Sequence, residues 1–207
     1  ELYIWDIIEA PDGNLLIATG SPGRIYRVTP TGEASLLYDT GTAHVLSLGI
    51  DSEGRILAGT GSPGRVFRIG RDGSGFILLE AGFDEIKSLR VQPDGTIYAV
   101  AAIGKREDTT TNPTSSVSTG DTPVVTVSTQ VSAVVAADNV TTANNTTSSS
   151  EHVGRMGAVY RIFTDGMWEI VWSSNDDTPF DTFFRSDGTI LIGTGPSGKI
   201  FQISEAT

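Results

Sequence analysis

Short apolar runs alternate with polar turns along almost the whole chain, and the turns recur at a fixed interval. In the first unit YIWDIIE leads through the turn APDG to NLLIAT, then GSPG, RIYRV, TPTG and EASLLYD. The runs are rich in Ile, Leu, Val, Tyr and Phe and are bounded by Gly, Pro, Asp and Ser, which predicts strands joined by tight turns. Outside the segment 103–154 no stretch holds apolar residues at three- and four-residue spacing long enough to predict a helix. Apolar residues fall on both parities of a run, as in Leu15, Leu16 and Ile17. Side chains alternate between the two faces of a strand, so each small sheet is expected to be covered on both faces.

The marker glycines define the period. Gly13, Gly54 and Gly95 are 41 residues apart, as are Gly23 and Gly64, and Gly32 and Gly73. The next step in each series, to Gly188, Gly157 and Gly166, is 93 residues, one period plus an insertion of 52. Three independent series therefore place one insertion at the same point of the third unit. Repeats of about 40–45 residues, each with four antiparallel strands covered on both faces, are propeller blades. The expected fold is all-β, with blades at 1–43, 44–84, 85–102 plus 155–178, and 179–207. The last unit stops before an outer strand, so the chain carries about three and three-quarter blades, part of a propeller of about six to eight. The alternatives are a half-ring closed by a second copy and a compact four-bladed ring. Asp-Gly at 12–13, 94–95 and 187–188, with Glu53–Gly54 in the second unit, predicts hairpin turns in which both residues tolerate positive φ. Ala18, Gly59 and Gly193 form a column of small residues expected to let neighbouring sheets approach closely.

The units DGNLLIATGSPGRIYRVTPTG and DGTILIGTGPSGKIFQI resemble blades of the bacterial WD40-like, NHL-like and regulator-type β-propellers, and are most similar to uncharacterised secreted bacterial propeller proteins. The Trp-Asp pair that closes true WD40 units is absent. The resemblance covers everything but the insertion and implies the architecture, not an activity, since propellers host many unrelated functions.

Residues 103–154 are rich in Thr, Ser, Asn and Ala, a composition that buries too little surface to offset chain entropy, so most of this segment is expected to be disordered. Pro123–Ala137 is the exception, with β-branched residues suited to an extended strand or hairpin. Asn139, Asn144 and Asn145 each begin an Asn-x-Ser/Thr triplet. The net charge of −11 argues against nucleic acid and against an anionic membrane surface as partners. No apolar run reaches the roughly 20 residues of a spanning helix. With no cysteine, disulfides and thiolate metal sites are excluded. A first residue of Glu1, not Met, suits a chain whose leader has been removed or a fragment, and a secreted or periplasmic location is expected.

Candidate chemistry is sparse. The histidines, His44 and His152, are expected to be solvated loop residues, and most Asp residues occupy turns for backbone reasons. No catalytic residue, metal ligand or cofactor site is assigned, and the inner-strand runs LSLGID and SLRVQ offer no clear ligand set. The candidate binding surface is the hairpin rim, Thr19, Ser21 and Arg24, Thr60, Ser62 and Arg65, and Thr194, Ser197 and Lys199. Hydroxyls, backbone N–H groups and positive charge there would receive a small anionic or polyhydroxylated ligand, or an unknown protein. The plainer reading is that every blade needs the same turn. Arg27, Arg68 and Arg161, with Gln202 breaking the column, are expected to hydrogen-bond from blade to blade. Trp168 is expected to cover an edge or stack on a partner, and Trp5 and Trp172 are expected in the core. The leading function is a non-enzymatic scaffold for protein or ligand binding. The alternatives are a lactonase-like hydrolase or lyase at the central channel and the sensor domain of a periplasmic receptor.

Overall fold

The computed structural model describes residues 1–104 and 154–204, one compact unit of β-strands with no helix among the described residues. The insertion with Pro123–Ala137, the three Asn triplets and His152 lies outside the described residues, apart from its flanks at 103–104 and 154. In chain order the strands are β1 (Tyr3–Glu9), β2 (Leu15–Val28), β3 (Ala34–Ile50), β4 (Ile56–Gly61), β5 (Arg65–Ile69), β6 (Gly75–Glu80) and β7 (Glu85–Val91). They continue as β8 (Ile97–Ala102), β9 (Gly157–Ile162), β10 (Trp168–Ser174), β11 (Thr178–Phe184), β12 (Ile190–Gly195) and β13 (Ile200–Ile203). All pairings are antiparallel. The first half of β2 pairs with β1, its second half pairs with the start of β3, and the end of β3 pairs with β4 as the inner strand of the second blade. Strands β7 to β10 make the third blade, and β11 to β13 the described part of the fourth. β8 and β9 pair from Ile97↔Ile162 to Ala102↔Gly157, so the insertion leaves this hairpin's ladder intact.

Stability resides between blades. One buried cluster joins Leu16, Ala18 and Ile25 of the first blade to Val45, Ile56 and Ala58 of the second. A second joins Leu57, Val66 and Leu79 to Ile86, Ile97 and Tyr160 of the third. A third joins Tyr98, Val100 and Val159 to Ile190 and Ile192 of the fourth. Ile56 and Ala58 face one neighbour and Leu57 the other, which is why the runs are apolar on both parities.

Seven inner and outer turns among the described residues share one form. In the first, the Ala10 N–H donates to the Asn14 carbonyl (2.8 Å) and the Gly13 N–H to the Ala10 carbonyl (2.9 Å), with Gly13 at φ 79. Only the glycine takes positive φ; Asp12 instead accepts the Asn14 N–H on its carboxylate (3.1 Å), as Asp94 and Asp187 do for Thr96 and Thr189. Glu53 breaks this pattern, and Asp51 compensates by accepting the Glu53 and Arg55 N–H groups (3.0 and 2.9 Å).

The glycines at the start of the third strand of each blade have a different cause. A Cβ on Gly64 would stand 2.6 Å from the Phe83 carbonyl oxygen, because the connection into the next blade crosses there. Gly23 meets the same obstacle at Thr42 and Gly157 at Pro179, whereas Gly198 meets nothing and needs glycine only for its φ of 64. Gly64→Ala is expected to cost about 1–3 kcal/mol by overpacking, and Gly198→Ala about 1 kcal/mol of left-handed strain. Urea melts of the two variants check the order. In the small column, a Cβ on Gly59 would meet the Ser47 hydroxyl at 2.4 Å and Ile86 at 2.6 Å, while one on Gly193 would only touch the Asp181 carbonyl oxygen at 4.0 Å.

Candidate functional site

The rim hairpins hold their hydroxyls inward. Thr19 Oγ1 accepts the Arg24 N–H (3.3 Å) and donates within the turn, to the carbonyls of Pro22 or Arg24. Thr60 repeats this with Pro63 and Arg65, and Thr194 donates to the Lys199 carbonyl (3.0 Å); all three threonines are buried. Ser21, Ser62 and Ser197 stand exposed at the tips, the first two at φ 54 and 55. The basic residues are neutralised in place: Arg24 by Asp39 (2.8 Å) and Glu1 (3.2 Å), Arg65 by Glu80 (2.7 Å), and Lys199 by Asp177 (2.9 Å). The turn form thus accounts for the repeated threonine and arginine, and the tips present serines with little net positive charge.

The arginine column acts within blades rather than between them. Arg68 Nε lies 3.4 Å from Asp51 Oδ2, and Arg161 Nε donates to Glu169 Oε1 (2.7 Å), each partner belonging to the same blade. His44 is not a loop residue: it lies in β3 and its Nδ1 accepts the Trp5 indole N–H at 3.2 Å, edge-on to that ring. Trp168 packs edge-to-face on buried Tyr160, and Trp172 packs on Phe201. Trp5 departs from its expected core position and is 47% exposed, because its strand lines the axis and bulges there.

That bulge is general. Each inner strand skips one residue in its pairing with the next strand, at Trp5, Leu46, Lys87 and Phe180. A bulge leaves one residue unpaired and re-aims its side chain. The following residues, Asp6, Ser47, Ser88 and Asp181, each join a neighbouring inner strand. Asp6 accepts the Leu48 N–H (2.8 Å), Ser47 donates to the Ile86 carbonyl (3.3 Å), and Ser88 donates to Asp181 Oδ1 (2.5 Å). Asp181 also accepts from Arg90 Nη2 (2.6 Å). Burial opposes its charge, but the Ser88 hydroxyl, the Arg90 guanidinium and the Thr182 N–H outweigh that and hold its carboxyl below the usual carboxylate range. It stays ionised at neutral pH, unlike a general acid, which needs a raised value.

A cleft of about 300 Å³ opens along this axial face. Its mouth carries Trp5, Phe180 at 52% exposure, and Lys87, whose ammonium pairs with Glu85 and lies 5.6 Å from the Phe180 ring centre. Among the described residues no three His, Cys, Asp or Glu side chains are grouped to hold a metal. Sequence reasoning overlooked this face, although the signal was present: Asp6, Ser47, Ser88 and Asp181 keep the 41, 41 and 93 spacing of the glycines.

No family model and no curated protein sequence matches the chain. Solved structures do. A gluconolactonase from Xanthomonas campestris superposes with a TM-score of 0.60 at 16% identity, over 96% of this chain and 58% of that one. A chain of the nidogen/laminin complex gives 0.62 at 12% identity, over 97% and 60%. Virginiamycin B lyase from Staphylococcus aureus gives 0.56 at 15% identity, over 99% and 56%. The fold is a β-propeller. The chain spans less than two thirds of the length of these three neighbours. Among the further neighbours is the extracellular domain of a protein assigned as a hybrid two-component system of B. thetaiotaomicron, at a TM-score of 0.59 and 11% identity over 98% of this chain and 20% of that one. Among the described residues of the present chain no helix is long and apolar enough to cross a membrane.

Proposed function

We propose that this propeller is a non-enzymatic binding scaffold, acting outside the cytoplasm, whose contact surface is the axial mouth built by the inner-strand bulges. One observation carries the reading: the framework repeats from blade to blade, while the bulged position holds four different side chains, Trp5, Leu46, Lys87 and Phe180. Side chains that a shared bulge re-aims toward the axis, and that differ in every blade, present a surface suited to contact. Exposed Trp5 and Phe180 suit a polypeptide segment with apolar residues, since buried aromatics dominate interface energies, while Lys87 and Arg90 are already paired with Glu85 and Asp181. Peptides selected from a displayed random library against the wild-type chain are expected to bind Trp5→Ala and Phe180→Ala at least about tenfold more weakly. Equal binding by these variants, or lactone or lyase turnover abolished by Asp181→Asn, overturns the reading in favour of a central-channel enzyme.

The same reading takes the ring to be completed by further blades or a second copy. Leu48 and Ile56 are buried against the preceding blade, and their first-blade equivalents Ile7 and Leu15 are 53% and 41% exposed. Ile25, Val66 and Val159 are buried against the following blade, and their fourth-blade equivalent Ile200 is 72% exposed. Apolar columns of this kind are built to be covered. About four blades matched to 56–60% of the neighbours' chains fit a ring of about six or seven. The 207-residue chain alone is expected to self-associate in light scattering, and Ile7→Lys with Ile200→Lys to make it monomeric. A monodisperse wild-type monomer would remove the proposal.

A further inference from the structure

Among the described residues, the arginine column contains one member without an ion pair. Arg27, Arg68 and Arg161 occupy one position of the third strand in successive blades, and in two of them a carboxylate faces Nε: Asp51 before Arg68 at 3.4 Å, Glu169 before Arg161 at 2.7 Å. The first blade has neither acid. Ala10 stands at the Asp51 position and Ser35 at the Glu169 position. Arg27 Nε is buried without a hydrogen-bond partner, as Arg68 Nε is, but Arg68 has the Asp51 charge at 3.4 Å whereas Arg27 forms no ion pair among the described residues. Asp12, the acid of the adjoining turn, also lines the groove and feels the Arg27 charge, but it commits a carboxylate oxygen to the Asn14 N–H and makes no ion pair with Arg27.

What Arg27 faces is a groove of about 380 Å³ between the first and second blades, on the side of the Asp-Gly turns and away from the axial mouth. Its floor is apolar, made by Leu16, Ile50, Ile56 and Ile69, and Arg71 stands at its edge, donating weakly to the Glu53 carbonyl (3.4 Å). A guanidinium whose Nε is buried without an acceptor has lost hydration without compensation. A planar carboxylate restores it: Glu169 accepts from Arg161 Nε in the third blade, and Asp51 stands beside Arg68 as a counter-charge in the second.

We infer that the groove between the first two blades binds a small organic acid, its carboxylate on Arg27 and its apolar body on Leu16, Ile56 and Ile69. Recognition needs both parts, since the floor offers no polar group to a bare inorganic anion. The site is independent of the axial mouth and stands or falls separately from it.

Benzoate is the probe, with benzamide as its uncharged match in shape. Titrated into the 15N-labelled chain, benzoate is expected to shift the Arg27 Nε–H resonance saturably with a Kd on the order of 1 mM, and benzamide to leave it unmoved. Arg27→Gln is expected to weaken benzoate by at least about tenfold. Ala10→Asp tests the same point without removing the arginine: it copies the Asp51–Arg68 arrangement, so it is expected to fill the groove from within, abolish benzoate binding and leave the fold intact. The inference is overturned if benzoate gives no saturable shift, if benzamide binds as well, or if folded Ala10→Asp still binds benzoate like the wild type.

Discussion

Asp51→Ala is expected to lower the unfolding free energy by about 3–5 kcal/mol, the usual cost of removing one partner from a buried ion pair. The side chains of Asp51 and Arg68 are 3% and 7% exposed, and Asp51 also accepts from Arg55 Nε (2.7 Å) and from two backbone N–H groups of its turn. Removing the carboxylate leaves the Arg68 charge buried with no counter-ion and the turn uncapped where Glu53 cannot substitute. Urea denaturation at neutral pH reads the loss. A second change, Arg68→Met in the Asp51→Ala background, is expected to recover part of it, because the stranded charge is then gone. A single-variant cost below about 1 kcal/mol would mean that water already reaches this pair.

The same residue sets an acid limit. Burial works against the Asp51 charge, but the Arg55 side chain and the N–H groups of Arg55 and Glu53 outweigh it and hold its carboxyl below the usual carboxylate range. A carboxyl depressed on folding adds stability that is complete above its unfolded value of about 4 and is lost as pH falls through the folded value. Thermal melts between neutral pH and acid should therefore show a falling limb below about pH 4, and Asp51→Asn should flatten part of it. A wild-type midpoint unchanged across that interval would contradict the assignment.

Tyr160→Ala is the second large effect, with an expected cost of about 3–5 kcal/mol from the cavity it leaves. Tyr160 is fully buried in the cluster between the second and third blades, edge-on to Phe83 at 6.5 Å and to Trp168 at 5.4 Å. Its hydroxyl donates to the Ala81 carbonyl at 2.6 Å, which fastens the third blade to the connection leaving the second. Tyr160→Phe separates the two contributions: it keeps the ring and is expected to cost about 1–3 kcal/mol, the penalty of an unsatisfied buried acceptor. Equal losses for the two variants in urea melts would show that the hydrogen bond, not the packing, carries the effect.

The periodic glycines show how one sequence mark can have several physical causes. Gly13 and its equivalents are turn residues at positive φ, whereas Gly23, Gly64 and Gly157 are glycine because a neighbouring segment crosses where a Cβ would stand. Both leave the same trace in the chain, a glycine every 41 residues. The rim threonines were legible as a repeat, but their inward hydroxyls were not, since the direction of a hydroxyl depends on how the hairpin folds back. Trp5 was misplaced for a related reason: its column is core-like in sequence, and only the bulge turns it toward the axis.

Alternating apolar positions and a 41-residue interval were enough to specify four-stranded units covered on both faces, stacked as blades, with one insertion in the third. These follow from local rules, since strand periodicity and turn chemistry act over a few residues. Which polar residues meet, and which arginine is left unmet, was decided only in three dimensions. Asp6 and Leu48, Ser88 and Asp181, and Tyr160 and Ala81 are 42, 93 and 79 residues apart. Contacts of that kind come from the angle and spacing of packed sheets, which no local pattern encodes.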